Sequence, residues 1–289
     1  MTKVAAVLVS YNVREHLLRC IETLLEDGVD TIIVTDNQSR DGSADAVRRA
    51  YPEIQVYESG ANLGFGGGVN YSVDRVPRDI EYVLVTTPDV ELDQGSTKAL
   101  VDVLDTNERI GLVAPRVDTP DREIYPSVRT FPSLVDAFGH AFLRFLWPTN
   151  PFSRRYMMLD WDHSVAADVD WVAGTHFLTR RTAWDEVGGF DPRFFMFLED
   201  VDLCWRLRDK GWRVRYEPSS VVVHHISKSA DQTPYRMILA HHRSIYRYID
   251  KTWRGWRRAL LPVAGAAVTL RTGLAMIQRA VRQRPHAAQ

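Results

Sequence analysis

The first third of the chain switches repeatedly between two apolar patterns. KVAAVLVS is a short β-branched run without polar alternation, which predicts a strand buried on both faces. Leu17, Leu18, Ile21, Leu24 and Leu25 then recur at helical spacing. TIIVTD predicts a second strand and DGSADAVRRAY a second helix, with Asp41 or Ser43 as N-cap. IQVYES and EYVLVTT predict strands three and four, followed by a helix over roughly Gly95 to Asn107. Strands alternating with helices at this pitch predict an α/β fold, a mostly parallel sheet with right-handed crossovers.

From Arg116 to Val169 the pattern loosens around five prolines, predicting long loops about a short apolar helix near Phe138 to Trp147. VDWVAGTHFLTRRTAWDEVGGFD reads as strand, helix and Gly-Gly turn. EDVDLCWRLRDKGW reads as a helix ended by Gly211. WRVRYEP and SVVVHH predict two further short strands, after which the chain is helical and basic.

Composition narrows the class. Across 289 residues, 45% are apolar and 25% charged, which excludes disordered and fibrous chains. Two cysteines, Cys20 and Cys204, are too few for a disulfide framework, and both fall in apolar helical patterns expected to be buried and reduced. The start, MTKVAAVLVSYN, lacks the long apolar core of a signal peptide, and none is expected. The net charge of −1 conceals an asymmetry: from Arg236 onward there are eleven Arg and Lys against one acid, a balance of +10. The remainder carries −11. A basic tail on an acidic body implies an anionic partner, nucleic acid or membrane surface.

In an open parallel sheet, ligands bind beyond the carboxyl ends of the strands. The residues predicted there are Ser10-Tyr11-Asn12, Asp36-Asn37, Asn62 to Asn70, Thr87-Pro88-Asp89, Glu199-Asp200 and His224-His225. NLGFGGGVN, with four glycines in nine residues, reads either as a backbone cradle for a diphosphate or as a turn. Asp36 suits a hydrogen bond from a ribose hydroxyl or a base N–H, or else belongs to the turn-rich DNQSRDGS. Asp89 with His224 or His225 offers oxygen and nitrogen donors for Mn²⁺ or Mg²⁺. Glu199, Asp200 and Asp202 follow the aromatic run FFMF. They either complement a helix dipole or hold a carboxylate of raised pKa that serves as general base.

The ordered stretches VLVSYN, VTDNQSRDGS, NLGFGGGVN, TTPDV, WVAGTHFLTRR, VGGFDPRFFMFLEDVDLCWRLRDKGWRV and VVVHHISKS resemble a family 2 glycosyltransferase of GT-A fold, over roughly residues 3 to 229. The resemblance is strongest to bacterial rhamnosyltransferases that use dTDP-L-rhamnose. Among these it points to those acting on polyprenyl-diphosphate-N-acetylglucosamine in actinobacterial cell-wall linker synthesis. It implies that Asp36 contacts the base beside Ser10, Tyr11 and Asn12. Asn62, Gly64, Phe65, Gly66 and Asn70, with Thr87 and Pro88, would line the nucleotide-sugar pocket. Asp89 and His224 would hold a divalent cation, Mn²⁺ or Mg²⁺. Asp200 would be the inverting base, with Glu199 orienting it or the acceptor. Such families often carry Asp-x-Asp at the metal; here Thr87 stands in the first place. Another donor, such as a galactofuranosyl donor, a polysaccharide acceptor, or an inactive nucleotide-sugar-binding protein remain as alternatives.

The expected division is a transferase domain over 1–230 and a basic helical tail over 231–289. Wheeled at 100° per residue from Arg257, Arg271, Arg279 and Arg282 fall within about 40° of it. Val263, Leu270, Leu274, Ile277 and Val281 gather between about 200° and 260°. Leu261 and Val268 land on the basic side. The longest uncharged run, Ala259 to Leu270, is too short to span a bilayer. The expectation is therefore an interfacial helix on anionic lipid, holding the protein peripherally at the cytoplasmic face of the membrane. No helix-turn-helix or RNA-binding signature supports nucleic acid as partner.

Overall fold

The computed structural model describes residues 3–131, 147–225 and 233–282, with Asp136, Gly139 and Leu143 between them and only the backbone at 281 and 282. The helix expected near Phe138 to Trp147 lies largely outside the described residues. The chain opens with β1 (Val4–Ser10), α1 (Arg14–Glu26), β2 (Thr31–Asp36), α2 (Ser43–Ala50), β3 (Gln55–Glu58), α3 (Gly64–Val73), β4 (Tyr82–Thr86), β5 (Val90–Leu92) and α4 (Ser96–Thr106). Then come β6 (Ile110–Asp118), β7 (Ile124–Tyr125), β8 (Val128–Arg129), α5 (Pro151–Tyr156), β9 (Ala167–Asp168), β10 (Trp171–Val172) and β11 (His176–Arg180). It closes with α6 (Arg181–Val187), α7 (Glu199–Asp209), β12 (Arg213–His224), α8 (Pro234–Thr252) and α9 (Leu261–Arg282).

The main sheet runs β3-β2-β1-β4-β11-β6-β12-β5. Strands β3, β2, β1 and β4 are mutually parallel, as the apolar runs predict. Every residue of β1 is buried. Its alternate side chains feed two cores. Val4, Ala6 and Leu8 meet Leu17, Cys20, Ile21 and Leu24 of α1. Ala5, Val7 and Val9 meet Val69 and Val73 of α3. Beyond β4 the sheet is mixed: β11 is antiparallel to both β4 and β6, while β12 returns parallel to β6. The two short strands expected at WRVRYEP and SVVVHH are one strand, β12, whose register shifts between Glu217 and Val221. The shift absorbs the Pro218-Ser219-Ser220 step, which reads in sequence as a break.

The glycine-rich NLGFGGGVN is mostly helical, not a flexible turn. From Gly64 it is helix α3. Its small residues let the helix lie close on β1: a Cβ at Gly68 would sit 2.7 Å from Val9 Cγ1. Both cysteines are free and buried, Cys20 in α1 and Cys204 in α7. Burial raises both thiols, Cys204 to about 12.

Past the expected boundary at 230, α8 is docked on the catalytic body. Tyr248 is buried in the same core as α7. Lys251 bridges Asp191 at 2.8 Å and the fully buried Asp202 at 2.6 Å. Helix α9 lies against α8, with Ala264 buried and Gly265 close to Tyr246. Of the two faces the helical wheel finds, the apolar one is exposed, as an interfacial helix requires, whereas the basic one is partly covered. Arg271 and Arg279 are half-buried. Arg271 lies near His241 and His242 of α8, close enough to depress their pKa. The face turned outward is apolar: Val263, Leu270, Leu274 and Ile277 are 50–62% exposed. The side chain of Arg282 lies outside the described residues. By length and composition Gly255–Ala280 suffices to cross a membrane, contrary to the run counted in sequence, because one Arg interrupts the apolar stretch without ending it.

Candidate active site

A cleft of about 510 Å³ opens over the carboxyl ends of β1 and β4. Tyr11, Asn62, Gly64, Phe65, Thr87, Pro88, Asp89, Glu199, Asp200 and His224 all line it, as the sequence expects of a shared edge. The strand ends are brought together by register: Ser10 pairs with Asp36, and Asp36 with Glu58. Asp36 is buried; one carboxylate oxygen accepts the Ser39 N–H at 2.9 Å, and among the described residues Oδ1 has no hydrogen-bond partner. Ser10 Oγ is likewise buried without a partner among them. Beside them the Asn37 amide, which lines the cleft, donates to Gly64 O at 2.8 Å.

Three expected residues serve the walls instead of the cleft. The Asn70 amide donates to Phe190 O at 2.8 Å and accepts from Phe190 N–H at 2.9 Å, so both its ends are engaged by backbone. Gly66 faces Phe190, where a Cβ would meet the ring-bearing carbon at 3.0 Å. Asn12, in the left-handed region at φ 55°, ties the first loop to the second through the Arg40 N–H at 2.7 Å. These side chains fix the shape of the pocket without lining it.

Asp89 and His224 meet where β5 pairs with the end of β12: His224 Nε2 lies 3.3 Å from Asp89 Oδ2, and the His225 N–H donates to Asp89 O at 2.9 Å. The other ring nitrogen of His224 is buried without a hydrogen-bond partner among the described residues. Among the described residues no three His, Cys, Asp or Glu gather into a self-sufficient metal site. The pair fits a cation that takes its remaining ligands from a diphosphate and water, the usual arrangement for Mg²⁺ and Mn²⁺ at phosphates.

Across the cleft, α7 begins behind two consecutive left-handed residues, Phe197 (φ 68°) and Leu198 (φ 61°). Bulky residues there carry about 1–3 kcal/mol of strain each. Neighbours on both sides enforce it. The Ser244 hydroxyl of α8 donates to Met196 O at 3.0 Å, the Phe197 ring meets His241 edge-on at 5.2 Å, and the Phe65 N–H donates to Phe195 O. The result turns Glu199 and Asp200 toward the cleft.

Asp200 accepts the Gly174 N–H at 2.9 Å through one oxygen and the Val201 N–H at 2.8 Å through the other. Burial raises its pKa, while those N–H groups and the Arg129 guanidinium oppose the rise. Glu199, 5% exposed, is raised well above the carboxylate range by burial and by the charge of Asp200. The backbone N–H groups and Arg129 favour the ionised form of Asp200, whereas the charge of Asp200 adds to the rise at Glu199. Asp202 has no place in the chemistry: fully buried, it is held by Arg206 at 2.7 Å and by Lys251.

The sequence missed several residues of this cleft. Arg129 and Tyr156 come from the Pro-rich middle, Trp171 and Gly174 from the WVAGTHFLTRR stretch, and Arg236 and His241 from α8. No periodicity frames Arg129 or Tyr156, and WVAGTHFLTRR marked its segment without singling out a residue.

The sequence profile of glycosyl transferase family 2 matches residues 5–201, and that of glycosyl transferase family group 2 matches residues 132–277. The N-acetylglucosaminyl-diphospho-decaprenol L-rhamnosyltransferase of Mycobacterium tuberculosis is 37% identical, over 90% of this chain and 89% of that one. The rhamnosyltransferase WbbL of Escherichia coli is 28% identical, over 85% of this chain and 92% of that one. Among solved structures, the mannosyltransferase PcManGT from Pyrobaculum calidifontis, in complex with GDP-Man and Mn²⁺, superposes with a TM-score of 0.60 at 16% identity, covering 99% of this chain and 76% of that one. GalNAc-T7 with UDP, GalNAc and Mn²⁺ superposes at 0.58 and 13% identity, covering 86% and 50%. These two share the fold.

Proposed function

The chain belongs to glycosyl transferase family 2, with a GT-A-like fold, and we propose that it moves L-rhamnose from dTDP-L-rhamnose to a polyprenyl-diphosphate-linked N-acetylglucosamine, inverting the anomeric carbon. The observation that carries this reading is the division of the cleft: the Asp200 carboxylate, held by two backbone N–H groups, on one side and the Asp89–His224 pair on the other. The relative from M. tuberculosis, whose name gives the acceptor and the sugar, supports the choice of substrates.

Asp36, Ser10 and Tyr11 bind the thymidine end, and Asn62, Gly64, Phe65, Thr87 and Pro88 line the path of the diphosphate and sugar. Asp89 and His224 would hold Mn²⁺ or Mg²⁺, which neutralises charge on the departing diphosphate. Asp200 takes the proton of the acceptor hydroxyl as its oxygen bonds to the anomeric carbon. The bond from that carbon to the phosphate oxygen breaks, and its electron pair leaves on dTDP. One displacement through an oxocarbenium-like state inverts the configuration. Glu199, carrying the proton of the pair, orients Asp200 without competing for the acceptor proton.

Residues 1–230 form the transferase in this reading, and 231–289 its acceptor side. With the inner face of α9 held by α8, the outward apolar stripe lies on the cytoplasmic surface of a membrane instead of crossing it. Trp256 and the exposed Arg257 and Arg258 sit at the head of the stripe. The test is a donor panel with purified protein and an N-acetylglucosaminyl-diphospho-lipid, with release of nucleoside diphosphate measured. Release with dTDP-L-rhamnose alone among the donors is expected. Transfer from another sugar nucleotide in its place overturns the donor assignment.

A further inference from the structure

Two guanidiniums line the cleft with no salt bridge and no hydrogen bond among the described residues, Arg129 and Arg236. This sets them apart from Arg116, Arg206 and Arg208, each of which is paired with a carboxylate. Arg129 is half-buried. Its charge centre lies 4.9 Å from the Trp171 ring and 5.7 Å from that of Tyr156, and its Nε is buried without a partner. Stacking on two rings fixes the planar group and offsets part of its desolvation, but leaves its N–H donors unspent. Arg236 stands in the first turn of α8, where backbone N–H groups also favour an anion.

We propose that Arg129 and Arg236 form a second anion subsite, distinct from Asp89–His224, that binds the diphosphate of the lipid-linked acceptor. This rests on the acceptor class proposed above. A guanidinium pair matches a diphosphate through charge-assisted, bidentate hydrogen bonds. The donor's diphosphate already has its own edge of the cleft at Asp89 and His224. The rest of the cleft selects the acceptor. Arg236 lines it together with Asp200, the proposed base, and its helix neighbours Tyr235 and Leu239 are exposed apolar side chains. A lipid-linked diphosphate would offer its anion to the two arginines and its chain to an apolar surface of this kind.

The experiment saturates the full chain with dTDP and Mn²⁺ and titrates decyl diphosphate by calorimetry. Binding that excess dTDP does not displace is expected, weakened at least about tenfold in Arg129→Met and in Arg236→Gln, with dTDP affinity unchanged in both. Arg236 is exposed, so its variant keeps the test sound if Arg129→Met fails to fold. Displacement by dTDP, loss of dTDP affinity in the variants, or undiminished binding of decyl diphosphate each overturns the subsite. The acceptor reading is checked separately, by transfer from dTDP-L-rhamnose to octyl N-acetylglucosaminide with the unaltered protein, a substrate that carries no diphosphate.

Discussion

On the flank of the cleft assigned above to the donor, Ser10, Asp36 and Thr87 stand at or just beyond the ends of buried parallel strands, positioned by backbone register. On the flank proposed for the acceptor, Arg129 comes from a two-residue strand, Asp200 from a helix entered through two left-handed residues, and Arg236 from a helix that follows the last strand. The first flank is set by main-chain hydrogen bonds that many side chains permit. The second is set by particular side chains, such as Ser244 on Met196, His241 on Phe197 and Lys251 on Asp202. Substitution on the acceptor flank should therefore be felt through geometry, and on the donor flank through ligands lost.

The largest expected effect separates the two carboxylates at the head of α7. Asp200→Asn should lower turnover by about 10²–10⁴-fold with donor binding retained, in single-turnover assays. Glu199→Gln, which mimics the protonated partner, should lose far less; the reverse order would make Glu199 the base. As the proposed base, Asp200 acts in its ionised form, and burial raises its pKa. Activity should therefore fall as pH drops through a value above the ordinary carboxylate pKa of about 3.9.

Next comes the brace between α8 and the body. Lys251→Met should destabilise the fold by about 1–3 kcal/mol, since Asp202 stays buried with one cation fewer. Burial opposes ionisation of Asp191, yet Arg193 and Lys251 prevail and hold its pKa below the usual value. A depressed carboxylate stabilises above its unfolded pKa and loses that contribution as pH falls through the folded one. The gap between variant and parent in thermal unfolding should thus be full at neutral pH and shrink below about pH 4.

On the donor flank, Asp89→Ala and His224→Ala should each weaken nucleoside diphosphate binding in Mn²⁺ by about 10–100-fold, the range seen when metal sites lose supporting groups. Equal affinity of the parent protein with and without Mn²⁺ would take the cation out of the reaction. The smallest effect concerns the outward stripe: replacing Leu274 alone with Gln should reduce vesicle binding roughly fivefold, because it removes about 1 kcal/mol of apolar burial at an interface. Unchanged sedimentation with vesicles would leave α9 as a purely structural element.

The same contrast explains what the sequence discloses. Strands β1 to β4 announce themselves because both faces are covered, and an unbroken apolar run has few other readings. Asp89, Asp200 and His224 were legible because their neighbours form ordered motifs. Asn70 and Gly66 carry the same motif, but their atoms are spent on Phe190, a partner 120 residues away from Asn70 that no local pattern names. Helix α9 misleads for a related reason. A wheel finds an apolar face but cannot tell whether protein or solvent lies against it, and here α8 takes the side bearing Arg271.

The two buried cysteines give the folded protein an experimental property of its own. With thiols inside α1 and α7 and thiolate formation suppressed by burial, neither should react with maleimides at neutral pH. A cysteine introduced at Leu274 would then be the site that accepts a fluorophore, and its emission would report directly whether that face of α9 has left water.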